Sequence, residues 1–145
     1  MKKILIKISK FIGIILAVSI VGAMSFGVYI YIHEELPKKK INITVLYSPN
    51  DACSKEFPME VLIFNDSSRV LEETKFDIDV KRKGYSKKIS TSRYLHYYET
   101  DKIIEPGNTY IACWTYPTIE KEHKNKYTKE ELIYTIGYKS LYFEN

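Results

Sequence analysis

Hydrophobic and polar positions fall into two regimes along this chain. Residues 11–32, FIGIILAVSIVGAMSFGVYIYI, run without a single charge. A helix of that length rises about 33 Å, enough to cross the hydrocarbon core of a bilayer. Tyr29 and Tyr31 fall at its far end, where amphipathic rings favour the membrane interface. A cleaved leader ending at Val21-Gly22-Ala23 is the rival reading. It would leave MSFGVYIYI as an apolar new N-terminus, whereas an uncleaved anchor accounts for the whole run. HEELPKKK (33–40) reads as a polar linker, with Pro37 expected to stop the helix.

From residue 41 the pattern becomes strand-like runs separated by turn signals. INITVLY (41–47) is β-branched and ends at Ser48-Pro49-Asn50-Asp51. MEVLIF (59–64) ends at Asn65-Asp66-Ser67-Ser68. TKFDIDVKRK (74–83) alternates, with Phe76, Ile78 and Val80 on one face and Lys75, Asp77, Asp79 and Lys81 on the other. Alternation of that kind predicts a strand with one wet face, so Asp77 and Asp79 are expected to be solvated beside their lysines. Residues 85–104 are ragged and hold one or two short strands at most. EPGN (105–108) is a turn with Pro106 and Gly107 in type II positions. TYIACWTY (109–116) is apolar on both faces, which predicts a central strand. A polar loop (118–131) and LIYTIGYKSLYF (132–143), a strand or broken hairpin, follow. Short strands, little helix and about 105 residues predict an all-β antiparallel sandwich of immunoglobulin-like type behind one transmembrane helix.

The turn and strand sequences VLIFNDSS (61–68), FDIDV (76–80) and DKIIEPGNTY (101–110) carry a resemblance. Over roughly residues 41 to 116 the pattern resembles the bacterial immunoglobulin-like domains called FxLYD. In that family an Asn-polar turn precedes the strand bearing the name motif, and a hydrophobic-x-Pro-Gly turn feeds a later strand. Asp79 and Val80 stand where the family has Tyr and Asp. The resemblance implies an extracytoplasmic sandwich on a membrane or cell-wall anchor, with no catalytic residues to transfer.

Charge changes the picture in one respect. Lys2, Lys3, Lys7 and Lys10 precede the first acid, Glu34, and leave 18 Lys and Arg against 18 Asp and Glu from His33 onward. A nucleic-acid binder carries its positive charge on the folded domain; here the surplus lies on the tail (1–10). That tail leads the first apolar segment and predicts an N-terminus in the cytoplasm. The linker's Lys38, Lys39 and Lys40 narrow the margin. Cys53 and Cys113, the only two cysteines, have no metal-ligand spacing around them, so a disulfide in an oxidising compartment is expected. On a strand Cys113 and Trp114 point to opposite faces: Cys113 toward Cys53, Trp114 into the core.

Candidate chemistry is sparse. His33, His96 and His123 are scattered, and no hydrolase, phosphate-loop or zinc motif is present. No catalytic residue, metal or cofactor is assigned. The stretch 81–98 carries six basic residues and no acid, interleaved with tyrosines. Lys87, Lys88, Arg93, Tyr85, Tyr94 and Tyr97 are its candidate binding residues for an anionic envelope ligand; the plainer reading is an exposed hairpin with a lysine-blunted edge. In the anchor Ser19, Ala23 and Gly27 recur every four residues, the spacing that lets a second helix, or a second copy, approach closely. Asn42 and Asn65 open Asn-x-Ser/Thr acceptor sequences. The function class expected is non-catalytic binding or assembly at the envelope. The alternatives are an accessory subunit of a transporter or a phage-type exclusion factor acting through its helix, and an envelope hydrolase with an unrecognised site.

Overall fold

A computed structural model of the chain describes residues 2–47, 52–91 and 97–144. They divide at Lys38 into a helical unit and a β unit. In the first, α1 (Lys2–Ile30) continues through a wider π-helical turn (Tyr31–Glu35) into a last α turn, α2 (Leu36–Lys39). The helical stretch Ile15–Lys39 contains an 18-residue window of mean hydropathy 2.1 and is long and apolar enough to cross a membrane. Ser19 and Ser25 return their hydroxyls to the carbonyls of Ile15 and Val21, both at 2.9 Å, which satisfies them within the helix.

Pro37 does not stop the helix, contrary to expectation. The preceding turn is widened, with Leu36 N–H donating to the Tyr31 carbonyl five residues back. A proline has no N–H to place and its ring clashes with the carbonyl four residues back in a regular α-helix; the looser turn relieves that clash. The 33–40 stretch is therefore helical over most of its length.

The β unit holds six strands: β1 (Ile41–Tyr47), β2 (Met59–Asn65), β3 (Leu71–Arg82), β4 (Tyr98–Thr100), β5 (Thr109–Trp114) and β6 (Leu132–Phe143). They form two antiparallel sheets of order β1-β2-β5 and β4-β3-β6. The sheets pack as a sandwich, as the strand pattern predicts. Ile41, Val61, Ile63, Phe76, Ile78 and Tyr98 build the main core between them. Phe76 is fully buried, stacked on Tyr98 at 5.5 Å and edge-on to Trp114 at 5.9 Å. Burying a side chain of that size stabilises the fold by about 1.5–3 kcal/mol.

Strand β5 is an edge strand, not a central one. Its outward residues are apolar without being covered: Ile111 is 55% exposed, and it lies beside half-exposed Leu62 in the register. Cys113 faces outward on this strand and is bonded to the buried Cys53, with Cα atoms 5.6 Å apart. Trp114 faces inward and packs against the core. The two neighbours thus serve opposite faces, as alternation requires.

Strand β3 corrects a second expectation. Asp77 and Asp79 are only 5% and 6% exposed. Opposite them β6 carries a bulge, where the pairing steps from Phe76↔Lys139 to Ile78↔Ile136 and leaves Gly137 and Tyr138 facing one residue. The Tyr138 N–H donates to Asp77 Oδ1, and Lys88 forms an ion pair with Asp79 Oδ2. The carboxylates are covered because glycine at 137 lets backbone lie against them: a Cβ there would meet Asp79 Oδ2 at 2.5 Å. What reads as a solvated face is a paired, backbone-capped one.

At the other end of the sandwich the buried Asn65 organises two turns. Its Nδ2 donates to the carbonyls of Arg69 and Ile104, each at 2.8 Å. Its Oδ1 accepts from Ser67 N–H (3.0 Å) and Ser67 Oγ (2.7 Å). The backbone carbonyl of Asn65 also accepts from Gly107 N–H at 2.7 Å. Gly107 has φ +78°, the left-handed geometry that a type II turn reserves for glycine. With both amide hydrogens engaged, Asn65 is closed to glycosylation in the folded domain.

Candidate functional site

The register sets up one aromatic end of the sandwich. Met59 pairs with Tyr47 on one side and Trp114 on the other, so the end of β1 and the end of β5 share a row. Across the sandwich, Phe76 pairs with Tyr98 and Val80 with Tyr134. Tyr116, just past β5, falls between these groups. A cleft of about 360 Å³ opens there, lined by Tyr97, Tyr98, Trp114, Thr115, Tyr116 and Thr118. Tyr98 lies edge-on to Trp114 at 5.7 Å, and its hydroxyl donates to the Thr115 carbonyl at 3.0 Å. Burial pushes the Tyr98 phenol up to about 12, against the hydrogen bond to Thr115. The Trp114 indole N–H is shielded from solvent and has no acceptor among the described residues, a donor whose burial is costly unless something accepts it.

Tyr116 is shared with a second group. Tyr47, Tyr116 and Tyr134 lie 5.8–6.2 Å apart by ring centroid. The hydroxyls of Tyr116 and Tyr134 share a 2.9 Å hydrogen bond. Over this cluster sits the Lys129 ammonium, 3.1 Å from the Tyr116 centroid and 6.0 Å from that of Tyr47. The quadrupole of each ring attracts a cation to its face. Burial pulls the Lys129 amine below its usual range, and it pushes the Tyr116 and Tyr134 phenols up. Lys129 stands in a single 3₁₀ turn whose ends are tied by a capping box between Thr128 and Glu131.

The basic stretch is less free than its composition suggests. Lys88 is engaged by Asp79, and Lys87 lies 3.9 Å from Glu122 in an exposed pair. Arg82 lies over the rings of Tyr85 (4.7 Å) and Tyr127 (5.1 Å). Tyr85 is 60% exposed. Tyr97 lines the aromatic cleft and lies against Tyr138. Arg93, Tyr94 and His96 lie outside the described residues. In α1, Ser19, Ala23 and Gly27 are exposed, and nothing lies within 4 Å of where a Gly27 side chain would begin.

Two further groupings complete the picture. On the 118–131 loop, Glu120, Glu122 and His123 bring one ligand atom each within 4.8 Å, with His123 Nε2 3.0 Å from Glu122 Oε1. Between β1 and β6, Lys139 reaches across the sandwich and donates to the Ile41 carbonyl at 2.6 Å, and burial lowers its amine. Sequence reasoning marked Tyr97 for binding and placed Trp114 in the core. It missed Tyr47, Tyr134 and Lys129. The one signal for them was the abundance of tyrosine, 13 residues, which does not say which rings meet. No protein-family model, curated protein or solved structure matches this chain.

Proposed function

We propose that this chain is a single-pass membrane protein of the cell envelope, with a cytoplasmic N-terminal tail and an extracytoplasmic β-sandwich that has a non-catalytic binding or assembly role. In a two-membrane bacterium this is the inner membrane with the sandwich in the periplasm. The observation that carries the binding role is the aromatic cleft. It presents a concave wall of rings and threonines, the mix of apolar faces and a few polar groups that an amphipathic ligand or peptide segment fits. The lysines ahead of the anchor support the orientation, and the Cys53–Cys113 bond supports an oxidising compartment. The resemblance to the FxLYD domains points the same way.

A photoreactive side chain at Tyr97 or Thr118, lining the cleft, tests the reading in cells. The same group at Thr44, on the exposed face of β1, is the control. Adducts specific to the cleft positions are expected. Equal labelling at all three, or none at the cleft, would refute it. A second reading, lateral action through the helix, is favoured by the open Ser19–Ala23–Gly27 stripe. It predicts that Gly27→Leu abolishes function while cleft variants behave as wild type.

A further inference from the structure

The cleft and the Lys129 cluster meet at Tyr116, and this second group has the makings of a ligand site in its own right. Its ring faces converge on a single positive charge. Among the described residues no carboxylate lies within ion-pair distance of that ammonium, which rests on the faces of Tyr116 and Tyr47 and feels Glu130 only at longer range. A primary ammonium is strongly hydrated through three N–H donors, and lying against ring faces strips part of that water from it. Lys129 is therefore an imperfect occupant. A methylated ammonium has the same charge, no N–H to satisfy, and methyl groups that lie well on ring faces.

The occupant can also leave without disturbing the fold. The backbone around Lys129 is held by the Thr128 N–H to Glu131 Oε2 bond at 2.9 Å and by the Tyr134 hydroxyl to the Lys129 carbonyl at 3.4 Å. The side chain alone, with its four rotatable bonds, places the charge over the rings. Space for the body of a ligand lies on the other side of Tyr116, in the aromatic cleft.

We infer that Tyr47, Tyr116 and Tyr134 form a binding site for a methylated organic ammonium group, occupied in this structure by the chain's own Lys129 as an exchangeable plug. Lys129 then sets the threshold for binding: the external cation competes with a tethered one. The inference rests on the binding role proposed above and names the ligand chemistry of the same end of the domain. The ligand could be free in the envelope or the headgroup of a lipid; both present the same trimethylammonium.

The test uses the full chain in maltoside micelles with choline as the probe, following the N-methyl proton resonance, which ring currents move upfield over an aromatic face. Lys129→Ala should bind choline about tenfold more tightly than wild type, the weight of one desolvated cation–π contact. Lys129→Gln, which keeps most of the stem and loses the charge, should do likewise and serves if the alanine variant folds poorly. Adding Tyr116→Leu should lose at least about tenfold, and Tyr116→Phe should retain binding because the π face remains. Nanodiscs of phosphatidylcholine or phosphatidylglycerol separate the sources. Choline binding that phosphatidylcholine alone abolishes identifies the headgroup; choline binding that neither lipid affects identifies the free cation. Both support the site. No upfield shift with either plug variant, with thermal unfolding unchanged, would overturn the inference. If cross-linking at Thr118 persists in that case, the ammonium site falls and the binding role stands.

Discussion

Gly137 is the position where a single methyl group should do most damage. It lies in the β6 bulge against the buried carboxylates of β3. A Cβ there would come within 2.5 Å of Asp79 Oδ2, 2.6 Å of Asp79 Cγ and 2.7 Å of Asp77 Oδ1, well inside ordinary carbon–oxygen contact. Neither carboxylate is free to turn: Asp77 accepts from Tyr138 N–H and Asp79 is paired with Lys88. The methyl in Gly137→Ala must therefore displace one or both. Losing a hydrogen bond to a charged acceptor costs about 1.5–3 kcal/mol. The Lys88 ion pair, at a partly exposed ammonium, adds at most about 1 kcal/mol. Alanine stiffens the unfolded chain and returns about 0.4–1 kcal/mol. The net expectation is a loss of about 1–3 kcal/mol. Urea unfolding of the full chain in micelles reads it through Trp114, the only tryptophan, which packs against the core beside Phe76 and Tyr98. Repeating the substitution with Asp77 and Asp79 both changed to alanine should shrink the penalty toward zero, because the obstruction is gone. A neutral or stabilising Gly137→Ala, or a penalty that survives the aspartate replacements, would show that the bulge does not act through these carboxylates.

Three shorter expectations follow from the same frame. Asn65→Ala removes four hydrogen bonds from a buried site and should lower stability by about 2–4 kcal/mol; a loss under about 1 kcal/mol would mean water replaces the amide. Replacing Cys53 and Cys113 together by serine opens a loop of sequence separation 60 and should lower stability by about 4 kcal/mol in the chain-entropy model, with the wild type matching the variant after full reduction. Above pH 10 the domain should weaken. Burial holds the Tyr98 phenol protonated up to about 12, so the folded state keeps a proton that the unfolded state releases from about 10. This contribution is whole below pH 10 and is lost as pH rises through 12, by a few kcal/mol at most. Tyr116 and Tyr134 shift in the same direction. The lowered amines of Lys129 and Lys139 act with opposite sign below pH 10.5, where stability rises with pH. Tyr98→Phe should flatten the alkaline loss in a pH series of melting temperatures; an unchanged series would refute the assignment.

The strands themselves were legible, and the reasons are local. Period-two alternation put Phe76, Ile78 and Val80 inside, and opposite-facing neighbours put Cys113 and Trp114 on different sides of one strand. Turn chemistry at Asn65 and at Pro106-Gly107 was legible too, because those residues carry their own conformational reasons. What alternation cannot say is whether the second face of a strand meets water. Asp77 and Asp79 look like a wet face because the residues that cover them, Gly137, Tyr138 and Lys88, come from other parts of the chain. The converse error arises at β5. Its apolar residues on both faces suggest a centre, yet Ile111 lies on an uncovered outer face with Leu46 and Leu62. Apolar composition does not distinguish a covered face from an exposed one.

The aromatic end was illegible for a stronger reason. Each of its tyrosines has an adequate individual explanation as a residue that covers a core, and only the register makes them neighbours. What sets the group apart is what it fails to satisfy. Among the described residues, the Lys129 ammonium sits on ring faces without a close ion pair and the Trp114 indole N–H has no acceptor. Burying the indole donor without an acceptor costs about 1–3 kcal/mol, which an apolar ring of similar size would avoid, while the ammonium trades part of its hydration for the ring faces. Other buried polar groups in the domain are paired, as at Asn65 and Asp77, although the fully buried Thr74 hydroxyl also has no partner among the described residues. The ammonium and the indole flank a single ring, Tyr116, on the wall of an open cleft. A ligand cation that replaces Lys129 on these ring faces would use the same attraction that holds the ammonium there.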